Sequence, residues 1–351
     1  MGKKIGKLLL KGIVFTLIAS WLWIHMSYAV MPELTHSRDN VYGYYAEPKR
    51  SLDTVFIGSS GTMSAFIPMN AFRDYGFTSY NFCINELAFQ TYPFMIREAL
   101  KTQQPKLLII DVKCLVAAQS IDNMLTEEME GELRYNTDPF RFSVDRFSYI
   151  SKHVPLKNHL SVYFNFLKYH GRKLDFKLWN GSRKSVRKGY NFMGWDTDIS
   201  YPEMTDEEIP LDPEVDRTLD DIFAECKSAG TNVLFLYYPH GETVYNEHPL
   251  QTVNYIEHRV KDAGFDFMNC SRNLEEFGFD SGSDYWNNGH WNILGAEKIT
   301  AWLAPKLQST YDLPDHRGDE AYSAWEEKIK SWEKTVKKQK KAIKKASGGD
   351  N

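Results

Sequence analysis

The chain has 351 residues, of which 42% are apolar and 14% aromatic, and its formal net charge is -4. This composition excludes a disordered protein and allows one large domain with a sizeable core. The net charge is small, but both ends of the chain are basic. We expect no nucleic-acid partner, because the chain is predicted to be exported.

An apolar stretch near the amino end predicts a membrane anchor. Four lysines precede this stretch: Lys3, Lys4, Lys7 and Lys11. The stretch itself runs from Gly12 to Val30, and its 19 residues are about enough to cross a hydrocarbon core of ~30 Å. Since only Arg38 follows soon after, we expect a single-pass protein of the cell membrane with a cytoplasmic amino end and everything from about Pro32 outside. Ser27-Tyr28-Ala29 resembles a signal-peptidase site, so secretion after cleavage is the alternative.

Short β-branched and aromatic runs alternate with helical patterns, which is typical of a parallel sheet. The predicted strands are Thr54–Ile57, Ser79–Phe82, Leu107–Val112, Val233–Tyr238 and Phe265–Met268. The predicted helices cover about 86–102, 213–229, 249–262 and 294–307. We therefore predict an α/β fold, as a three-layer α/β/α sandwich around a five-stranded parallel sheet. The predicted segments are an anchor (1–31), a main domain (32–312) and a basic carboxyl-terminal helix and tail (313–351).

The periodic pattern breaks down in 115–210, which is too long for an ordinary loop and indicates an insertion or lid. This insertion is rich in aromatics and cations, which suit either sugar and phosphate binding or a satellite core. The last helix ends in a lysine cluster, which suits either an interfacial helix on anionic lipid or polymer or a solvated tail. The four cysteines lie far apart without a CxxC pair, so we expect free core thiols, no metal site and no cofactor.

Two distant segments carry groups for nucleophilic catalysis. The first, Thr54-Val-Phe-Ile-Gly-Ser-Ser60, is a strand followed by a glycine turn that would present serine hydroxyls at the carboxyl edge of the sheet. The second, Asn287-Asn-Gly-His-Trp-Asn-Ile-Leu-Gly-Ala296, offers an imidazole. A serine hydroxyl becomes a useful nucleophile when a base within hydrogen-bond reach removes its proton.

These segments resemble the SGNH/GDSL hydrolase superfamily, which has a flavodoxin-like fold. The likeness is greatest to its membrane-anchored extracytoplasmic branch, which is related to the D-alanyl-lipoteichoic acid biosynthesis protein DltD and to polysaccharide O-acetylation proteins. Gly58-Ser59-Ser60 stands where the first family block has Gly-Asp-Ser, so the resemblance implies Ser60 as nucleophile. Asn287-x-x-His290 stands where the last block has Asp-x-x-His, so His290 would be the base. The resemblance spans about 44–308, outside the insertion and the tail.

The chain departs from the family pattern at the remaining site positions. Asn287 occupies the place of the aspartate that orients the histidine, so Asp284 could substitute or the site could run as a Ser-His dyad. The family's glycine and asparagine oxyanion donors lack clear counterparts. The backbone N–H groups of Ser60 and Gly61 remain as oxyanion donors, with Asn85 as a side-chain candidate.

Three functions follow from these residues. The first is extracytoplasmic transfer of an acetyl or D-alanyl group to a cell-wall or secreted polymer, for which the resemblance implies a membrane-bound O-acyltransferase as partner. The second is a carbohydrate esterase that uses the same residues, with water as the acceptor. The third is a non-catalytic polymer-binding or scaffold protein, which Asn287 favours.

Overall fold

A computed structural model describes residues 2–195, 199–241 and 246–346. The end of the predicted tail, 347–351, lies outside the described residues. The strands are β1 Thr54–Gly58, β2 Ser79–Cys83, β3 Leu107–Asp111, β4 Asn232–Tyr237, β5 Asp266–Asn269, β6 Tyr285–Asn287 and β7 His290–Trp291. The helices are α1 Gly2–Ala29, α2 Ser37–Tyr45, α3 Ser60–Ala65, α4 Pro68–Tyr75, α5 Tyr92–Leu100, α6 Lys113–Val116, α7 Glu130–Thr137, α8 Val144–His153, α9 Leu156–Tyr163, α10 Asn165–Tyr169, α11 Pro213–Ala229, α12 Pro249–Asp262, α13 Ile293–Tyr311 and α14 Ser323–Ala346.

The first five strands form one parallel sheet in the order β2-β1-β3-β4-β5. The predicted α/β class and the five-stranded parallel sheet are confirmed. Because side chains alternate along a strand, successive residues of β3 enter two different apolar clusters: Leu108 and Ile110 pack in one, and Leu107 and Ile109 in the other. Both faces of the sheet are therefore covered, which explains why its strands are apolar without a polar face.

Local capping residues and turns determine where the flanking helices begin and end. Asp212 accepts the backbone N–H of Glu214 at 2.8 Å and caps α11, whose first residue is Pro213. Gly230 ends this helix in the left-handed region, at φ 65°. The helix predicted at 86–102 is shorter than expected, because a 3-10 turn at Phe89–Thr91 precedes α5.

The predicted insertion contains its own helices, α7 to α10, and much of its charge is used internally. Arg146 is buried and donates to the carbonyls of Thr137 and Val162 and to the side chain of Asn165. Phe140 is also buried, in the larger apolar cluster. These two residues are therefore packed in the interior and are not free to bind a sugar.

The two terminal helices differ in what covers them. Within the described part of the chain, α1 is the one helix long and apolar enough to cross a membrane, and its residues 4–22 are exposed. Residues 27–30 at its end are buried in the domain. In α14, by contrast, Trp332 is buried, stacks on Phe192 and donates to Asn70 Oδ1 at 2.8 Å. The apolar face of α14 thus packs on the domain, which leaves its lysines outward.

Candidate active site

A sharp exit from β1 presents Ser60 at the carboxyl edge of the sheet. Ser59 is extended, with φ -107° and ψ -162°, and Ser60 is the first residue of α3. A side chain at Gly58 would collide with the Thr62 hydroxyl and press on Asp111. Thr62 donates to the Asp111 carboxylate at 2.5 Å, so the turn is fastened to the neighbouring strand β3.

The hairpin formed by β6 and β7 brings His290 to Ser60. Nε2 of His290 lies 2.8 Å from the Ser60 hydroxyl, and Nδ1 lies 2.8 Å from Oδ1 of Asn287. The same Oδ1 accepts the backbone N–H of Gly289 at 3.0 Å. An N–H group can only donate, so this contact identifies the Asn287 atom as the carbonyl oxygen. Nδ1 therefore carries the hydrogen, and Nε2 is left to accept the proton of Ser60.

His290 is a neutral imidazole at neutral pH. Burial, and secondarily the positive charge of Lys113, lower the pKa of His290 to about 3. A neutral ring has the free lone pair that a general base requires. The imidazolium formed after proton transfer would lack a carboxylate partner, because Asn287 carries no charge.

Asp284 is buried and holds the chain that leads to His290. Its carboxylate pairs with Lys298 at 2.9 Å and accepts the backbone N–H of Asp280 at 2.8 Å. Its carbonyl accepts the backbone N–H of Asn292 at 3.0 Å. Among the described residues, the hydrogen-bond acceptor for Nδ1 of His290 is Asn287, so the geometry favours Asn287 over Asp284 as the orienting group.

The candidate oxyanion donors separate into two groups. Ser60 and Gly61 lie in the first turn of α3, where backbone N–H groups have no acceptor within the helix. Asn85, by contrast, donates its side-chain amide to the carbonyl of Thr35, and its backbone N–H bonds to Ser37 at 2.9 Å. Only the backbone pair is therefore placed beside the reactive hydroxyl.

The Ser60 hydroxyl opens into a cavity of about 750 Å³, which is large enough for a small organic substrate. Its wall includes Ser59, Glu86, Gln119, Tyr237, Asn246 and the 287–290 turn. Within residues 2–195, 199–241 and 246–346, no group of three or more His, Cys, Asp or Glu side chains is arranged to hold a metal ion. All four cysteines are free and buried.

Sequence reasoning missed two residues of this cavity, Lys113 and His240. Lys113 Nζ donates to the carbonyl of Gly289 at 3.0 Å and so fastens the turn that carries His290. Lys113 lies two residues after the end of β3 and His240 three residues after the end of β4, at the carboxyl edge where α/β sheets place ligand-binding groups. That position was the signal available in the sequence.

His240 is 3% exposed, and its two ring nitrogens have no hydrogen-bond partner among the residues that the structure describes. Its ring lies against Gly61, since a side chain there would come within 3.0 Å of His240 Cε1. Burial, followed by the positive charge of Lys113, holds the pKa of His240 well below its usual value. A buried polar ring without a protein partner is costly, which indicates a group that meets a ligand.

No protein-family model and no curated protein matches the chain.

Proposed function

We propose that the protein catalyses acyl-ester chemistry through a covalent acyl-Ser60 intermediate, with His290 as general base and Asn287 as its orienting group. The observation that carries this proposal is the continuous chain of two 2.8 Å contacts from Ser60 through His290 to Asn287. A nucleophile, a base and an orienting group in hydrogen-bond contact are the signature of an activated serine. The large adjoining cavity gives the substrate access to this hydroxyl.

The reaction has two half-steps. The Ser60 proton passes to Nε2 of His290 while Oγ bonds to the acyl carbon, and the backbone N–H groups of Ser60 and Gly61 would receive the developing oxyanion. The leaving alcohol then takes the proton from Nε2. In the second half-step an acceptor hydroxyl gives its proton to Nε2 while its oxygen bonds to the acyl carbon. The bond between that carbon and Oγ then breaks, and Oγ takes the proton back from Nε2, which restores Ser60 and the neutral His290.

The acceptor decides between the two enzymatic functions. We propose transfer of an acetyl or D-alanyl group to a hydroxyl of an anionic or neutral cell-surface polymer, with a membrane-bound O-acyltransferase as partner. The resemblance of the Ser60 and His290 blocks to the SGNH/GDSL superfamily supports this, as does a sheet order that suits its three-layer sandwich. With water as the acceptor, the same residues would make a carbohydrate esterase.

The proposed location is the outer face of the cell membrane, with α1 retained as a single-pass anchor. Four residues around the possible cleavage site are buried in the domain and so form part of its packed structure: Ser27, Tyr28, Ala29 and Val30. This favours the anchor over a removable signal peptide. The lysines at the start of α1 support a cytoplasmic amino end.

Covalent labelling with a fluorophosphonate, read by intact-protein mass spectrometry, tests the proposal. We expect one adduct per chain on the wild type, and none on Ser60→Ala. His290→Ala should slow labelling by about 100-fold or more, as expected for removal of a general base. Ser59→Ala is the matched control, because Ser59 lines the same cavity and should leave labelling at Ser60 intact. Labelling that survives Ser60→Ala would contradict the proposal.

A non-catalytic binding protein is the second candidate, and one observation favours it. The pKa of about 3 at His290, with a neutral Asn287 behind the ring, means that the protonated imidazole is poorly stabilised. A folded wild type that takes up no fluorophosphonate would favour this candidate. The cavity would then bind a polymer segment without altering it.

A further inference from the structure

The segment 144–180 exposes apolar side chains that no part of the described chain covers. Val144, Leu156 and Phe176 are exposed by 85%, 83% and 69% respectively. Other large apolar side chains in the segment are also exposed: Phe147, Leu160, Phe164, Leu167 and Leu174. Large apolar patches on a folded domain mark contact surfaces for proteins or membranes.

This surface is continuous with the outer end of α1. Trp23 of α1 packs edge-on against Phe164, and the centroids of their rings are 6.0 Å apart. His25 stacks on Trp179 at 5.2 Å, and its Nδ1 lies 2.6 Å from the Trp179 carbonyl. On α9, Leu156 and Leu160 lie four residues apart and so share a helical face, and Phe164 follows at the end of this helix.

The length of α1 explains why the surface is apolar. After Lys11, residues 12–22 are exposed, and Trp21 near the end of this stretch already packs edge-on against Trp179. As a helix they reach ~16 Å at 1.5 Å per residue, about half of a hydrocarbon core of ~30 Å. Shifting α1 so that Lys4 marks the inner boundary would place Lys7 and Lys11 in hydrocarbon, where charged side chains are costly. Residues 23–30, with the domain surface around them, are needed to complete the span.

The charge of the segment also fits a lipid surface. Residues 144–180 contain five Lys and two Arg against two Asp and no Glu. Lys157, Arg172, Lys173 and Lys177 are exposed. Cations beside apolar and aromatic side chains are typical of the membrane interface, where they meet anionic headgroups.

We propose that residues 144–180 form a membrane platform that sits in the headgroup and upper acyl region of the leaflet next to the domain. The exposed apolar side chains of α8, α9 and the 3-10 turn at Phe176–Leu178 contact lipid, and the surrounding cations contact anionic headgroups. The platform fixes the domain, and with it the cavity at Ser60, at a set tilt on the membrane. This inference rests on an inserted α1 and is independent of the chemistry at Ser60.

Depth-dependent quenching of a fluorophore tests the platform in the full-length chain. Leu160→Cys and Phe176→Cys place single exposed thiols on it, and Ser228→Cys is the control at an exposed position of α11. The four native cysteines are buried, so one nitrobenzoxadiazole label per folded chain is expected. The labelled proteins are reconstituted in vesicles of phosphatidylcholine and phosphatidylglycerol at a ratio of about 3:1, which supplies anionic headgroups.

We expect doxyl-labelled lipid to quench the platform labels at least about twofold more strongly than the Ser228 label, because interfacial apolar groups lie at the headgroup and acyl boundary. Aqueous iodide should quench the Ser228 label more strongly. Strong iodide quenching at both platform positions would overturn the proposal, because the surface would then face water. Protection from both quenchers would also overturn it, because a protein would then cover the surface.

Discussion

Asn287 orients His290 through a neutral oxygen, 2.8 Å from Nδ1. The contact selects the ring tautomer with hydrogen on Nδ1, because the same oxygen accepts the N–H of Gly289 and is therefore the amide carbonyl. It does not supply the negative charge that stabilises an imidazolium. The site therefore combines the geometry of an activated serine with weak electrostatic support for its base.

Asn287→Asp should accelerate the reaction at Ser60. A carboxylate at this position stabilises the protonated ring, so the pKa of His290 rises from about 3. The neutral ring is the form that accepts the proton of Ser60, so the labelling rate falls at low pH as the ring is protonated. This acid limb of the pH profile should move to higher pH by the same amount as the pKa of His290. At pH 7.5 we expect the second-order rate constant for fluorophosphonate labelling to rise by about 10-fold or more.

Asn288→Asp is the control for this prediction. It adds the same charge one residue away, without replacing the atom that contacts Nδ1, and should give a much smaller acceleration. Equal labelling rates for the wild type and Asn287→Asp across the pH range would show that charge behind the ring does not limit the reaction.

Lys113→Met should raise the pKa of His290 and also slow the reaction. The cation is the second cause of the lowered pKa, after burial, so its loss makes protonation easier and moves the acid limb upward. The substitution also removes the hydrogen bond from Nζ to the Gly289 carbonyl. Loss of one such bond costs about 1 kcal/mol, which corresponds to a several-fold lower labelling rate at neutral pH.

Lys113→Arg separates these two effects. It retains the positive charge, so the acid limb should stay where it is in the wild type, while the altered geometry at Gly289 still lowers the rate. A Met variant whose acid limb does not move would show that Lys113 does not act on His290 electrostatically.

Trp332→Ala should destabilise the whole protein. Trp332 is buried between α14 and the domain, stacks on Phe192 and donates to Asn70. Replacing a buried aromatic of this size by alanine costs about 3–5 kcal/mol in the free energy of unfolding. Urea denaturation measures this change. The control is Lys341→Ala at an exposed position of the same helix, which should change the free energy of unfolding by about 0.5 kcal/mol or less. An unaffected midpoint for Trp332→Ala would show that α14 is not part of the cooperative fold.

The sheet could be predicted from sequence because its strands are short, β-branched and buried on both faces. Thr54–Gly58 and Leu107–Asp111 differ by only one residue at an end from the predicted strands. The packing of α14 could not be predicted, because the pattern of Trp325, Trp332 and Val336 fixes an apolar face but not what covers it. The packing of the insertion could not be predicted for the same reason, because its aromatic residues do not indicate what they pack against.

The site was predictable only in part. Ser60 and His290 lie in short blocks with local turn chemistry. The sequence places Lys113 and His240 after strands, but only the pairing of β3 with β4 in the sheet brings them to the same cavity. Asp284 and Asn85 were reasonable candidates by residue type and position. Their side chains instead contact Lys298 and Thr35, because tertiary contacts decide which polar groups a neighbour satisfies.

His240→Phe should make the protein more stable and less active. The two ring nitrogens of His240 are buried, and no described side chain or backbone group bonds to them. An apolar ring of similar shape removes that penalty, and we expect the free energy of unfolding to rise by about 1–3 kcal/mol. If substrate supplies the missing hydrogen bond, kcat/KM for p-nitrophenyl acetate should fall by about 10-fold.

Tyr238→Phe is the matched control. Its hydroxyl is also a buried polar group without a described partner, but it lies just after β4 and outside the cavity wall. The substitution should stabilise the protein and leave kcat/KM unchanged. A folded His240→Phe variant that keeps full activity would show that the ring does not serve the substrate.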